Sequence, residues 1–268
     1  MVSVMAHHLS MTSGVSSIVH LRDLLRELVG RDIKLRYRRS VLGILWSLLN
    51  PLVYLVVLVF VFQSVAPLNI PNYPLFTFMG VLAWGWFSSA LPAATSCITG
   101  SRELIRQPGF PSAILPVVPI VSSLVHFCIA MALLILALLI AQHGLSVAII
   151  ALPLVVFLQF LVTLSLGYIT ATIQVRFHDT AHLVGVSMLL GFFITPVFYR
   201  PGVLPARYQV FYGVNPMAQL IGAYRDILLD GRWPDFGALM IVGAVSAVVL
   251  WLGYRVFTRA SVSFAEEV

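Results

Sequence analysis

The densest group of chemistry-bearing side chains is His178, Asp179 and His182, an HDxxH pattern whose histidines lie four residues apart and would share one face of a helix. That spacing can hold zinc, but hydrolytic sites of this kind use Glu as the intervening base, and no third ligand stands nearby in sequence. An intramembrane metalloenzyme is therefore the weaker reading, and a polar helix end the stronger; no metal ligand set is assigned. His126, inside an apolar run, could relay protons or simply pack between helices. A phosphate-binding loop needs GxxxxGK followed by Ser or Thr. The only lysine, Lys34, stands between Ile33 and Leu35, which excludes that loop. Nothing encoded here can grip a triphosphate, so any ATP-driven step needs another chain.

The surroundings of these residues decide what they can do. Of 268 residues, 60% are hydrophobic and 10% charged, whereas soluble domains carry roughly 25% charged residues. Apolar runs at 41–63, 75–96, 115–140, 147–173, 183–199 and 237–257 predict an all-α polytopic membrane protein with six spans. Only Arg255 falls inside a run, close enough to an end to snorkel. The absence of acids from all six runs disfavours proton-driven secondary transport. Cys97 and Cys128 lie at or inside spans and read as buried hydrophobes. Residues 1–20 lack the basic start and apolar core of a cleavable signal, so the first span is expected to insert the chain.

The net charge of +6 points to topology and not to nucleic acid, because the basic residues flank apolar runs. Lys and Arg divide between the two sides at roughly 12 against 4, which predicts that both termini are cytosolic. Residues 1–40 would form a cytosolic N-terminal region, 41–257 the membrane domain and 258–268 a cytosolic tail. Before the first span, Leu21, Leu24, Leu25, Leu28 and Val29 repeat at helical spacing. Arg22 and Arg26 stand on the other face, and Arg31, Lys34 and Arg36 continue the basic stretch. This amphipathic helix could lie on the inner leaflet or dock a cytosolic partner.

The segment 200–236, between the fifth and sixth runs, holds two short apolar stretches, 208–214 and 217–229, separated by Asn215 and Pro216. Neither can cross a bilayer, and Asn-Pro favours a turn, so a periplasmic re-entrant helical hairpin is expected; the alternative is two helices flat on the surface. Pro51, inside the first run beside Asn50, removes a backbone hydrogen bond and marks a bend. Aromatic residues crowd the first, second and fifth runs. Trp84 and Trp86 read as boundary anchors, while Trp46, Tyr54, Phe193 and Tyr199, with Asn50, are the candidates to line a path along which sugar rings stack.

Residues 36–51 read RYRRSVLGILWSLLNP, followed by LIRQPGFPSAILP at 104–116, TPVFY at 195–199 and NPMAQLIGAYR at 215–225. Four segments in this order on a six-span profile resemble the permeases of ABC-type polysaccharide exporters, over about residues 20–257. The resemblance implies a homodimer enclosing a channel for lipid-linked polysaccharide in the bacterial inner membrane. O-antigen is the first expectation, with capsule and teichoic acid next, and a lipid or drug efflux permease is the nearest relative to separate from it. It also implies two partner nucleotide-binding subunits that hold ATP and Mg, with no cofactor on this chain. The loop carrying Arg102, Glu103, Leu104, Ile105, Arg106, Phe110 and Pro111 would be the coupling helix that receives force from them, and the helix bearing Arg22 to Arg36 the interface helix. Where the family usually has Arg-Asp after the fourth span, this chain reads Arg176, Phe177, His178, Asp179.

Overall fold

A computed structural model describes residues 2–36, 38, 43–65, 68, 70–140, 144, 146–203 and 212–267, and every regular element among them is helical. The principal helices are α1 (Val2–Arg36), α2 (Trp46–Val59), α3 (Tyr73–Thr95), α4 (Arg102–Ile105), α5 (Val117–Ile140), α6 (Leu152–Arg176), α7 (Thr180–Ile194), α8 (Pro216–Leu228), α9 (Phe236–Ala260) and α10 (Phe264–Glu267).

Four helical stretches are long and apolar enough to cross a membrane: Tyr73–Thr95, Ser112–Ile140, Val147–Arg176 and Phe236–Ala260. They meet the second, third, fourth and sixth expected spans to within a few residues. The other two expected spans are shorter helices. The apolar helix Leu49–Ser64 runs from α2 into a π-helical continuation, Phe60–Val65, and the residues proposed to start that span, 41 and 42, lie outside the described residues. The 15 residues of α7 reach only about 22 Å at roughly 1.5 Å each. This helix stops at Ile194 because Thr195 precedes Pro196, whose ring pushes the residue before it out of the helical region; Thr195 is accordingly extended, at φ −80° and ψ 140°. The apolar composition continues to Tyr199, but the backbone ladder does not.

The most enclosed of the long helices is α3, which contacts α2, α5, α6, α7 and α8. Trp84 and Trp86 are buried within this core and are not boundary anchors: Trp86 stacks on Phe127 of α5 at 4.9 Å and donates its ring N–H to the Ile120 carbonyl at 3.3 Å. A bilayer offers no water to polar groups, and two pairs of buried ones meet between helices. Gln159 of α6 donates to the Ala83 carbonyl of α3 at 2.7 Å, and the hydroxyls of Thr95 and Thr170 meet at 2.8 Å. The most extensive helix contact among the described residues is between α6 and α9. There Gly253 permits the approach, since a Cβ on it would stand 3.0 Å from Ile169 Cγ1.

A second apolar cluster closes one end of the bundle. Leu28 and Val29 of α1 are buried against Ile98, Leu115, Val118 and Phe257, with Leu24, Leu25 and Ile33 beside them. The apolar face of the amphipathic helix is thus covered by the chain's own helices, and its basic face stays exposed.

Candidate functional site

The expected coupling loop is held at this α1 end. Its single helical turn, α4, points Arg102 and Glu103 outward, with Arg106 exposed just after it. Leu104, Ile105 and Phe110 turn inward and pack on the cluster that contains Leu28, Val29 and Phe264, and Pro111 is half-buried behind them. The apolar ridge read from sequence therefore anchors the loop to the bundle and leaves the charges free for contact. A cavity of about 560 Å³ separates α1 from this loop and brings Arg31 and Asp32 beside Arg102 and Glu103. Two stretches about seventy residues apart in sequence thus share one surface. Arg22, Arg26, Lys34 and Arg36 are also exposed along α1. Burial pushes the thiol of Cys97, on the same cavity wall, far above its ordinary range, which leaves it an inert hydrophobe.

Another cavity, of about 440 Å³, opens between α2, α3 and α5. Trp46, Asn50 and Tyr54 line it from α2, Trp86 and Ser89 from α3, and Ser123 and His126 from α5. Of the five candidates for a sugar path, these three α2 residues are brought together. Phe193 and Tyr199 sit elsewhere, in a ring cluster with Phe192 and Phe198 around the end of α7. Tyr199 caps the end of α7 by donating to the carbonyls of Phe193 and Ile194 at 3.0 and 2.8 Å. Among the described residues, the Tyr54–Phe192 ring contact, at 6.3 Å, is the one that joins the two groups. On α2 Tyr54 is 60% exposed and on α7 Phe193 is 59% exposed, so both helices present apolar faces that the single chain leaves uncovered.

Opposite the α1 end, two of the sequence segments fold on each other. Asn215 caps α8, its Oδ1 accepting from the N–H groups of Met217 and Ala218 at 3.0 and 3.3 Å, with Pro216 at the first helical position. Its Nδ2 donates to Thr195 Oγ1 at 2.9 Å. Further along α8, Arg225 is 7% exposed, and its guanidinium donates to the carbonyls of Pro196 at 2.7 Å, Val197 at 2.6 Å and Phe76 at 3.4 Å while standing 3.5 Å over the Phe76 ring. A buried cation costs several kcal/mol unless its donors are satisfied, and here backbone oxygens and an aromatic face supply what water would. Gly80 makes room: a Cβ there would run into the Val197 carbonyl and stand 2.8 Å from Arg225 Nη2. Nearby, burial raises the Asp226 carboxyl above the ordinary carboxylate range, against the pull of Arg232 at 3.3 Å.

The charge count places Arg225 with Arg200, Arg207 and Arg232 on the side away from the termini, and that count does not reveal this role. The signal was a lone Arg after Tyr224 near the end of a run too short to span. The HDxxH segment is a helix start: Asp179 is the cap residue of α7, and His178 and His182 are exposed. Gln174 pins the turn, donating to the His178 carbonyl at 3.0 Å and accepting from the Ala181 N–H at 2.7 Å. Among the described residues, no three of His, Cys, Asp and Glu come together as metal ligands would.

Comparison with known proteins points in one direction. The sequence profile of the family described as ABC-2 type transporter matches residues 23–229, from the amphipathic helix to the end of α8. The O-antigen export system permease protein RfbA of Myxococcus xanthus is 36% identical over 256 residues, which cover 95% of this chain and 98% of that protein. A protein of the same name from Klebsiella pneumoniae is 28% identical over 250 residues, covering 92% of this chain and 95% of its own. The polysialic acid transport protein KpsM of Escherichia coli is 19% identical over 230 residues, 85% of this chain and 89% of that protein.

Proposed function

The chain belongs to the ABC-2 type transporter membrane family, and we propose that it is the permease subunit of an exporter that carries lipid-linked O-antigen polysaccharide across the bacterial inner membrane. The observation that carries this reading is kinship with O-antigen export permeases along nearly the whole chain. Two copies form the transporter. Their exposed α2 and α7 faces meet around the path for the polymer, with Trp46, Asn50, Tyr54, Phe193 and Tyr199 along it. In this arrangement α2 with its continuation, and α7 with the segment after it, complete six crossings, both termini are cytosolic, and α8 dips back into the outer leaflet behind the Asn215–Pro216 turn.

Energy comes from two separate nucleotide-binding subunits that hold ATP and Mg, because the lone lysine, Lys34, excludes a phosphate loop on this chain. They dock on the surface shared by α1 and α4, where charged side chains are exposed above an anchored apolar ridge. Rotation of the ATPase subunits would then move α4 together with the ends of α3, α5 and α9 as one body, since a packed cluster transmits displacement better than a free loop.

The test is deletion of the chain from a host that displays the polymer, with immunoblotting of surface and cytosolic polysaccharide. Surface polymer should vanish and lipid-linked polymer accumulate inside, both restored by the intact chain. Unchanged surface polymer would refute the reading, and so would ATP hydrolysis or polymer transport by the isolated chain.

A further inference from the structure

The cavity between α2, α3 and α5 is polar at one end and apolar at the other, in register on all three helices. Towards the α1 end it is walled by Arg36, Asn50, Ser123 and His126; one to two turns further along the same helices come Tyr54, Leu82 and Ala130. Ser123 is 2% exposed, and among the described residues its hydroxyl has no hydrogen-bond partner, although such a group normally finds one inside a protein. Ser89, by contrast, spends its hydroxyl on the Trp86 carbonyl at 3.1 Å. Among the described residues no carboxylate lines this cavity. The acid nearest to Arg36 along α1, Asp32, stands 3.6 Å from it and faces the other cavity instead.

A cation, a buried hydroxyl and an amide that share one wall, with no carboxylate on that wall, suit an oxyanion that competes with Asp32 for Arg36, and the adjoining aromatic and aliphatic wall suits a hydrocarbon chain. At about 440 Å³ the space is of the size that holds small molecules, roughly 300–1,000 Å³. Within a membrane the ligand that joins these two chemistries is a lipid with a phosphate head. We propose that this cavity binds the phosphate-bearing head and first tail segment of a single lipid at inner-leaflet depth, held by Arg36, Asn50 and Ser123. The depth and the identity of that lipid rest on the permease reading; two sources, the lipid anchor of the exported polymer and a free anionic phospholipid, share this chemistry.

Trp46 and Trp86 line the cavity and make occupancy visible as a change in tryptophan fluorescence. The full chain in phosphatidylcholine nanodiscs is titrated with farnesyl diphosphate and, separately, with farnesol. Saturable binding of the diphosphate is expected, with farnesol far weaker. Arg36→Gln should weaken the diphosphate by about tenfold, the scale of one charged hydrogen bond, while Arg36→Lys retains most of the affinity. Ser123→Ala should cost about threefold, as a neutral donor would. Nanodiscs mixed equally with phosphatidylglycerol separate the two sources: competition assigns the site to membrane phospholipid, its absence to the polymer anchor, and either agrees with a phosphate-lipid site. Farnesol binding as tightly as its diphosphate, or Arg36→Gln binding as well as the parent chain, overturns the proposal. Export is scored separately. A complex that exports polymer without this binding discards the cavity proposal alone, and binding without export discards the permease reading alone.

Discussion

The two ends of the helical bundle treat charge in opposite ways. At the α8 end, Arg225 is withdrawn from solvent and committed to three carbonyls and a ring face, locking the start of α3, the segment after α7 and α8 together. At the α1 end, Arg22, Arg26, Arg31, Arg102, Glu103 and Arg106 are all exposed, and the apolar residues between them do the anchoring. A cation bound by backbone oxygens has one geometry and no spare capacity, which suits a joint that holds. Exposed charges on an anchored ridge contribute little to folding and remain free for a partner, which suits a joint that is pushed. The difference assigns rigidity to one end and contact to the other.

The contrast breaks most visibly at Arg225. Arg225→Met keeps apolar bulk but strands the carbonyls of Pro196 and Val197, and each buried acceptor left unpaired costs about 1–3 kcal/mol. A loss on the order of 3 kcal/mol or more is expected, seen as a large drop in the temperature at which the detergent-solubilised chain stays monodisperse on size exclusion. Arg225→Lys should fall between, since an ammonium cannot span the same oxygens in one plane. A variant with methionine that melts with the parent chain would remove the idea that this end is locked.

Asn215 sharpens the same point on a smaller scale. Asn215→Ala removes the cap of α8 and the bond to Thr195, and loss of such a cap costs about 1 kcal/mol. Asn215→Asp keeps the cap oxygen but cannot donate to Thr195, so its melting temperature should lie between those of the parent chain and the alanine variant. Equal melting of Asp and Ala variants would mean that the cap contributes nothing and the cross-link everything.

How far the fold is legible in sequence differs along the chain for physical reasons. Hydropathy locates α3, α5, α6 and α9 because a long helix in lipid needs little beyond length and apolarity. It overruns α7 because composition does not record where the backbone ladder ends; the Thr195–Pro196 pair does. The amphipathic spacing in α1 identifies which face is apolar, while what covers it, Ile98 and Leu115 among others, depends on contacts far along the chain. The candidate site is legible in its residues more than in its grouping. Trp46, Asn50 and Tyr54 share a cavity as one helix face, but Phe193 and Tyr199 belong to another cluster, and nothing in the sequence separates Ser123 from other small residues in a span.

The smallest expected effect on stability is also the most demanding test of the contrast. Arg102, Glu103 and Arg106 are exposed, and among the described residues none has an ion pair within 4.0 Å. Replacing all three by alanine should therefore shift stability by no more than about 0.5 kcal/mol per site, the usual range for surface positions. Because Leu104, Ile105 and Phe110 remain to anchor the loop, the bundle keeps its shape and only the contact chemistry changes. Surface polymer should nevertheless be lost, and ATP hydrolysis by the assembled complex should no longer respond to substrate. Normal export by the triple variant would show that force enters elsewhere, whereas a large fall in melting temperature would show that these charges hold the α1 end together as Arg225 holds the other.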